Sequence, residues 1–333
     1  MPANLTPEYR TAEAAFRKAR EPKERLQCLR DMLRLIPKHK GTDHLQADIK
    51  RRIKELTEEL EAPKKGGARS APSSTVRPEG AAQIALLGPP NSGKSELHAR
   101  LTGSGAHAAA YPFTTQVPQA GMLPYQDIAF QLVDLPAVSP EHPVPWLASA
   151  LQSADACLLV VDLAETDCLE RIEALHAVLR AQRVHLTSRW GSRREEDDPF
   201  VIQLPALLVA NKVDRLADPQ AELHAFLELE GLDYPVLAVS AQTGYGLSEI
   251  GPWLFSHLGV VRVYTKSPGK PADHGRPFTL RAGQCVEHLA RLVHQDLAHS
   301  LRYARLWGKS GFDGQHVGRD HVLADGDVVE LHS

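Results

Sequence analysis

Residues 84–95 read IALLGPPNSGKS, and no other stretch narrows the choice of fold as much. An apolar run of strand length leads directly into G-x-x-x-x-G-K-[ST], and the ELHARL beyond it reads as a helix. The string cradles phosphate only in that strand–loop–helix setting. Backbone amides must converge at a helix N-terminus, where the peptide dipoles favour an anion. Gly88 and Gly93 let the loop wrap closely, and the amides of Asn91, Ser92, Gly93, Lys94 and Ser95 are the expected donors. Lys94 is expected to bridge β- and γ-phosphate oxygens and Ser95 to ligate Mg²⁺. A second GKS, at 308–310, reads as a decoy: Tyr303 stands in the place of the first glycine and no strand-to-helix turn is evident.

Short apolar runs recur at 84–88, 128–134 (IAFQLVD), 156–162 (ACLLVVD), 205–211 (PALLVAN) and 235–241 (PVLAVSA), most of them separated by stretches of helical length. Strands apolar on both faces, alternating with helices, predict an α/β domain over residues 81–259, with a mostly parallel sheet covered on both sides. SRWGSRREEDDPF, at 188–200, reads as a surface loop.

Two of these strands run into groups that choose a base. NKVD occupies 211–214 and SAQ 240–242. The Asp214 carboxylate can accept from guanine N1–H and N2–H, a donor pair that adenine lacks. A buried acceptor left without donors costs ~1–3 kcal/mol, so guanine is the expected base. Asn211 is expected to tie the base loop to the phosphate loop, and the Lys212 stem to lie on the purine face. Ser240 belongs to the same loop, and the Ala241 amide is expected to donate to guanine O6. Asp134 ends the 128–134 run, where a carboxylate can hold Mg²⁺ through water. YPFTT, at 111–115, lies where a switch loop should, and Thr115 is expected to complete the Mg²⁺ shell and sense the γ-phosphate.

The flanks have a different character. Thr6-Pro7-Glu8 is a helix start, with a hydroxyl cap, proline at the first position and an acid in the first turn. Leu26, Leu29, Leu33 and Ile36 form one stripe, and Leu45, Ile49, Ile53, Leu56 and Leu60 another. Residues 1–61 thus predict a helical arm too small for a sizeable core of its own. Residues 62–80, rich in Pro, Gly and Ser, predict a mobile linker. Residues 260–333 alternate enough for strands around one amphipathic helix, VEHLARLVHQDL, a small α+β unit. Residues 1–80 carry 18 Lys and Arg against 12 Asp and Glu, and the rest 20 against 29, which suggests an anionic partner for the arm. No apolar run reaches the ~18 residues of a membrane span, and the polar N-terminus argues against secretion, so a cytoplasmic protein without a membrane partner is expected. The four cysteines and sixteen histidines show no metal-ligand spacing.

Taken together, these residues resemble the developmentally regulated GTP-binding proteins of the Obg-like GTPase group. LRLIPKHKGTDHLQADIKRRI (33–53) is similar to the family's helical arm. GPPNSGKS, YPFTT, DLPA and NKVD are similar to its G-domain motifs. RVYTKSPGKP (262–271), YARLWGKS (303–310) and QHVGRDHVLADGDVVELH (315–332) are similar to its TGS domain. The resemblance implies a β-grasp fold for 260–333, cycling between GTP and GDP, and association with ribosomes or RNA. The arm and the TGS segment themselves read as binding modules, so a protein partner on either is a further expectation.

DLPAV, at 134–138, departs from that pattern: Ala137 stands where glycine is usual and Val138 where glutamine would orient water. The Ala137 amide can still sense a γ-phosphate, but alanine pays about 1 kcal/mol or more at angles glycine tolerates. Val138 cannot orient water at all. Asn91 resembles the asparagine that binds K⁺ in GTPases lacking that glutamine. The expectation is a slow GTPase stimulated by K⁺ or a partner; the alternative is a GTP-binding adaptor with little or no hydrolysis.

Overall fold

The computed structural model describes residues 6–19, 22–37, 42–61, 76–104, 117–191, 200–230 and 233–333. The chain forms two compact units, Met1–Ser73 with Glu195–Val201, and Ser74–Arg194 with Ile202–Ser333.

The first unit holds α1 (Pro7–Lys18), α2 (Pro22–Leu35) and α3 (Asp43–Glu61). Thr6 Oγ1 accepts the Tyr9 amide at 3.2 Å, the cap its sequence promised. Tyr9, Phe16, Leu29, Met32, Ile36 and Ile49 close the core, with Leu33, Leu45, Ile53 and Leu56 half-buried around it. The side chain of Leu60 lies outside the described residues. Phe200 completes this core, edge-on to Phe16 at 5.9 Å and capped by the Arg52 guanidinium at 4.1 Å. The 188–200 stretch is therefore not only a surface loop. Its apolar end fills a core that the three short helices could not close alone.

The second unit begins earlier than the linker reading put it. Val76 packs on the apolar core, its carbonyl accepts from Gln83 Nε2 at 3.0 Å, and Gly80 bridges to Phe130. Residues 76–80 therefore belong to the domain, while 62–75 lie outside the described residues.

The G domain runs β1 (Gln83–Leu87), α4 (Lys94–Thr102), β2 (Gln119–Tyr125), β3 (Ile128–Asp134), α5 (Leu147–Leu151), β4 (Ala156–Asp162), α6 (Cys168–Ala181), β5 (Val184–Thr187), β6 (Ile202–Asn211), α7 (Pro219–Glu230), β7 (Val236–Ala238) and α8 (Leu247–His257). The sheet order is β2-β3-β1-β4-β6-β5, with β7 also on β6, and only β2 is antiparallel to its neighbour. Ala85 and Leu87 face one apolar layer and Ile84 and Leu86 the other, so β1 is buried on both sides as its unbroken apolar run requires. β2, interrupted by Gly121 and Pro124, and β5, four residues long, are edge strands that do not show as apolar runs.

The C-terminal segment folds as β8 (Val260–Thr265), β9 (Asp273–Arg281), α9 (Val286–Val293), α10 (Gln295–Ser300), β10 (Tyr303–Trp307), β11 (Gln315–Val317) and β12 (Asp327–His332). Its sheet order is β11-β10-β12-β8-β9, with β8 and β12 parallel and the other pairs antiparallel. Val286, Leu289 and Ala290 of α9 cover Val263, Leu306 and Val329 on one face. The single predicted helix breaks at His294, whose backbone is extended. The decoy GKS serves structure. Lys309 N and Ser310 N donate to the fully buried Asp327 carboxylate at 2.7 and 3.3 Å, so an internal anion takes the loop's amides.

Candidate nucleotide site

Parallel strands present their carboxyl ends together, and the loops after β1, β3, β4 and β6 meet there. After β1 the chain turns through Gly88 (φ 157°), Asn91 (φ 62°) and Gly93 (φ 89°) before α4 opens at Lys94. Both glycines also answer a steric need. A Cβ on Gly88 would sit 2.2 Å from the Val160 carbonyl oxygen, and one on Gly93 2.3 Å from Asn211 Nδ2. Lys94 Nζ donates to the Gly88 and Pro89 carbonyls at 3.0 and 2.9 Å, which draws the loop into a ring around the ammonium. Burial pushes its pKa down to about 8, against the opposing pull of Asp134. A buried cation short of counter-charge, beside amides at a helix start, suits an anionic ligand.

Ser95 Oγ donates to Asp134 Oδ2 at 2.6 Å. The two oxygens predicted as Mg²⁺ ligands are thus side by side, and an all-oxygen pair suits that hard cation. Thr115 and the rest of YPFTT lie outside the described residues. Among the described residues no cluster of three or more His, Cys, Asp or Glu could hold another metal.

DLPAV is drawn inward. Leu135, Ala137 and Val138 are all buried, Val138 within the layer that holds Leu87, Val133 and Leu147. The Val138 amide donates to the Gly88 carbonyl at 3.2 Å. Among the described residues the non-glycines with positive φ are Asn91, Gln126, Arg183 and Lys212. Ala137 is not one of them, so in this conformation the expected strain is absent.

On the base side, Asn211 is fully buried. Its Nδ2 donates to the Ser92 carbonyl at 2.9 Å and its Oδ1 accepts the Ala241 amide at 3.0 Å. The predicted tie between loops is present, but the Ala241 amide is engaged. A contact to guanine O6 would have to share it, which corrects the simpler expectation. The Lys212 ammonium is anchored to the Asn91 carbonyl at 2.6 Å and to Asp162 at 2.5 Å. Ser240 Oγ donates to Asp214 Oδ1 at 2.5 Å and orients that carboxylate. Asp214 itself is exposed, not buried as the sequence argument assumed. Its discrimination therefore depends on a base covering it.

Three contributors went unread in the sequence. Asp162 ends β4, a position visible as the acid closing ACLLVVD. Arg100 of α4 donates to the Ala241 carbonyl at 3.0 Å and to that of Gln242. Arg171, held by Asp167 at 2.8 Å, reaches the Pro90 carbonyl at 3.4 Å. Nothing in the local sequence marks either arginine.

The chain is similar to known proteins. A family model described as a 50S ribosome-binding GTPase matches residues 83–189, and the TGS domain model matches 261–333. An uncharacterized GTP-binding protein of Methanocaldococcus jannaschii is 28% identical, with 92% of each chain covered. A developmentally-regulated GTP-binding protein 1 homolog of Dictyostelium discoideum is 24% identical over 92% of this chain and 98% of its own. The crystal structure of a GTP-binding protein from Pyrococcus horikoshii has the same fold. It superposes with a TM-score of 0.50 at 18% identity, over 75% of this chain and 99% of that one.

Proposed function

We propose, for a chain that is a GTP-binding protein of the developmentally regulated, Obg-like type with a C-terminal TGS domain, a slow GTPase switch that works with Mg²⁺ on the ribosome or another RNA. The observation that carries the reading is the pair of hydrogen bonds made by the Asn211 carboxamide, which joins the phosphate loop at Ser92 to the base loop at Ala241. A site built so that triphosphate and base register together suits a nucleotide-dependent switch. In this reading Gly88, Asn91, Ser92, Gly93, Lys94 and Ser95 hold the phosphates. Asn211, Lys212, Asp214, Ser240 and Ala241 hold guanine. Ser95, Thr115 and Asp134 serve Mg²⁺.

Slow chemistry follows from Val138, whose side chain lies in the core and has no group to orient water. Help at the β–γ bridge must come from elsewhere, from a partner or from K⁺ held at Asn91. The exposure and left-handed backbone of Asn91 leave its carboxamide accessible for that role. Unassisted turnover is expected on the order of 10⁻⁴ to 10⁻² s⁻¹. The name of the matched GTPase model, with the basic arm, supports a ribosomal or RNA partner and with it a cytoplasmic location. No described helix is long and apolar enough to cross a membrane.

The second reading, an adaptor that binds GTP and scarcely hydrolyses it, draws on the same burial of Val138. Turnover measured in K⁺ against Na⁺, with and without ribosomes, separates the two. Stimulation by either supports the switch, and no hydrolysis under all conditions leaves the adaptor.

A further inference from the structure

The five-stranded sheet has two faces of different character. Ala304, Leu306, Val329 and Val263 point inward under α9. Alternation then puts Tyr303, Arg305 and Trp307 of β10, Glu330 and His332 of β12, and Arg262 and Tyr264 of β8 on the other face. Near β8 that face is occupied: Asp127, in the turn between β2 and β3, pairs with Arg262 at 3.0 Å and with Tyr264. Toward β10 and β11 it is open, with Arg305 and His316 exposed.

The open half carries an aromatic stack. Tyr303 lies against His332 at 4.6 Å and 11°, and against His316 at 4.7 Å and 17°, so three rings run in file across three strands. Arg305 Nε donates to His316 Nε2 at 3.1 Å and keeps the guanidinium beside the end of the file. Lys266 lies 4.0 Å from the Trp307 ring centroid. The one acid on this half, Glu330, is already engaged by Lys266 at 3.3 Å and His332 at 2.6 Å. Of the other acids of the segment, Asp325 is paired with Arg262, Asp327 is buried, Glu287 and Asp296 lie on the helices that serve the opposite side, and Asp273, Asp313 and Asp320 are exposed at the start of β9 and in the loops on either side of β11. The segment as a whole is nearly charge-balanced; on the strands of this half-face Lys266 is matched by Glu330, and among the described residues the Arg305 guanidinium is left without a carboxylate beside the aromatic file.

We propose that this half-face binds single-stranded RNA, with an unpaired base extending the file at His316 and a phosphate on Arg305. Rings in file accept a base of any identity, and a guanidinium beside them takes the backbone. The inference rests on the ribosome or RNA reading above and names the surface that would serve it. The site is continuous with the Asp127 contact, so RNA bound there adjoins the G domain.

The test uses the full chain and a fluorescein-labelled 12-nucleotide single-stranded RNA, followed by anisotropy at two salt concentrations. Tyr303→Ala and His316→Ala should each weaken binding about fivefold or more, as loss of a stacking partner does. Tyr303→Phe should retain it, and Arg305→Ala should lower the salt slope by about 0.7. Arg291→Ala, on α9, should change nothing. Because His316 is exposed, its variant decides the matter even if Tyr303→Ala unfolds. Equal binding by wild type and His316→Ala overturns the proposal, as does displacement of the RNA by polyglutamate at equal charge, which would mark an acidic protein surface as the ligand. Ribosome co-sedimentation with the same variants separates the two claims. Ribosomes pelleting equally with all variants sink the RNA face alone. Oligonucleotide binding that the variants weaken, without ribosome binding, sinks the ribosome reading alone.

Discussion

Asn211 Nδ2 lies 2.9 Å from the Ser92 carbonyl oxygen, while its own oxygen takes the Ala241 amide. One buried carboxamide thus sets the distance between the phosphate loop and the base loop. Replacing it by alanine leaves a carbonyl and an amide buried without partners, at ~1–3 kcal/mol each. Asn211→Ala should therefore weaken GDP and GTP binding at least tenfold while ATP remains a poor ligand. Gly93→Ala should be worse, because its new Cβ meets Asn211 Nδ2 at 2.3 Å and alanine is strained at φ 89°. Titration with a fluorescent guanine nucleotide checks both; unchanged affinity in either variant would remove the bridge from the account.

Ser240 donates to one oxygen of Asp214 at 2.5 Å, and each carboxylate oxygen keeps a lone pair with which to accept from a base. An amide at 214 offers a donor and an acceptor in place of two acceptors. That matches xanthine, whose O2 replaces the guanine amino group. Asp214→Asn should thus lose GTP affinity and gain affinity for xanthosine triphosphate. Competition between the two nucleotides measures the reversal, and a variant that still prefers GTP would show that Asp214 does not read the base.

These two loops were legible because their chemistry sits at strand ends, and strand ends show as apolar runs that stop. GPPNSGKS after IALLG and NKVD after PALLVA needed only that context. The geometry between them was less legible. That the Ala241 amide is engaged, or that Arg100 holds the base loop, depends on residues about 30 and 140 positions apart in the chain. The edge strands β2 and β5 escaped because QAGMLPY is interrupted by Gly121 and Pro124 and VHLT is only four residues long. Phe200 read as part of a loop because its partners, Phe16 and Arg52, come from the far end of the chain.

Burial holds the Lys94 pKa near 8, below the ordinary lysine value of 10.5. Below pH 8 the folded and unfolded chains both carry the proton, and the cost of burying it is present in full. Between about pH 8 and 10.5 the unfolded chain binds the proton and the unliganded folded chain releases it, so folding stability should rise with pH. A bound phosphate favours the ammonium, so guanine nucleotide affinity should run the other way: flat below pH 8, then falling by up to about tenfold per pH unit. Lys94→Met should abolish the pH dependence of both. Denaturant melts and nucleotide titrations across pH 7–10 read the two slopes, and parallel slopes would contradict the assignment.

Ala137 has no positive φ, and Val138 is 2% exposed among core side chains. Glycine at 137 therefore relieves nothing in this conformation and adds backbone freedom to the unfolded chain, at ~0.5–1 kcal/mol. Ala137→Gly should lower stability by that amount and leave GTP turnover unchanged. Val138→Gln should not create a water-positioning residue. It should place an amide in an apolar layer and destabilise by about 1–3 kcal/mol. Melting and single-turnover hydrolysis decide, and a gain in rate from Ala137→Gly would favour the adaptor reading, in which that alanine suppresses turnover.

Arg262 links the TGS domain to the turn between β2 and β3, with Asp127 at 3.0 Å, Asp325 at 2.7 Å and the Phe255 ring centroid at 4.8 Å. Both carboxylates hold the guanidinium pKa well above its usual value, the Asp325 hydrogen bond most strongly; Asp127 is lowered in spite of its burial, by the hydrogen bond from Tyr264 and then that from Arg262. The pair is partly solvated, so its rupture should cost about 2 kcal/mol, less than for a fully buried pair. β3, which leaves this turn, ends at Asp134 beside Ser95, so the same hairpin touches the TGS domain at one end and the start of α4 at the other. Arg262→Ala should therefore loosen the two domains and split one denaturation transition into two. Arg262→Lys should not restore it, because an ammonium cannot fork between two carboxylates. Calorimetry with and without GDP reads the effect. A single unshifted transition in Arg262→Ala would mean that the TGS domain is held by Arg281 and Asp155, 3.0 Å apart, and that the hairpin carries no coupling.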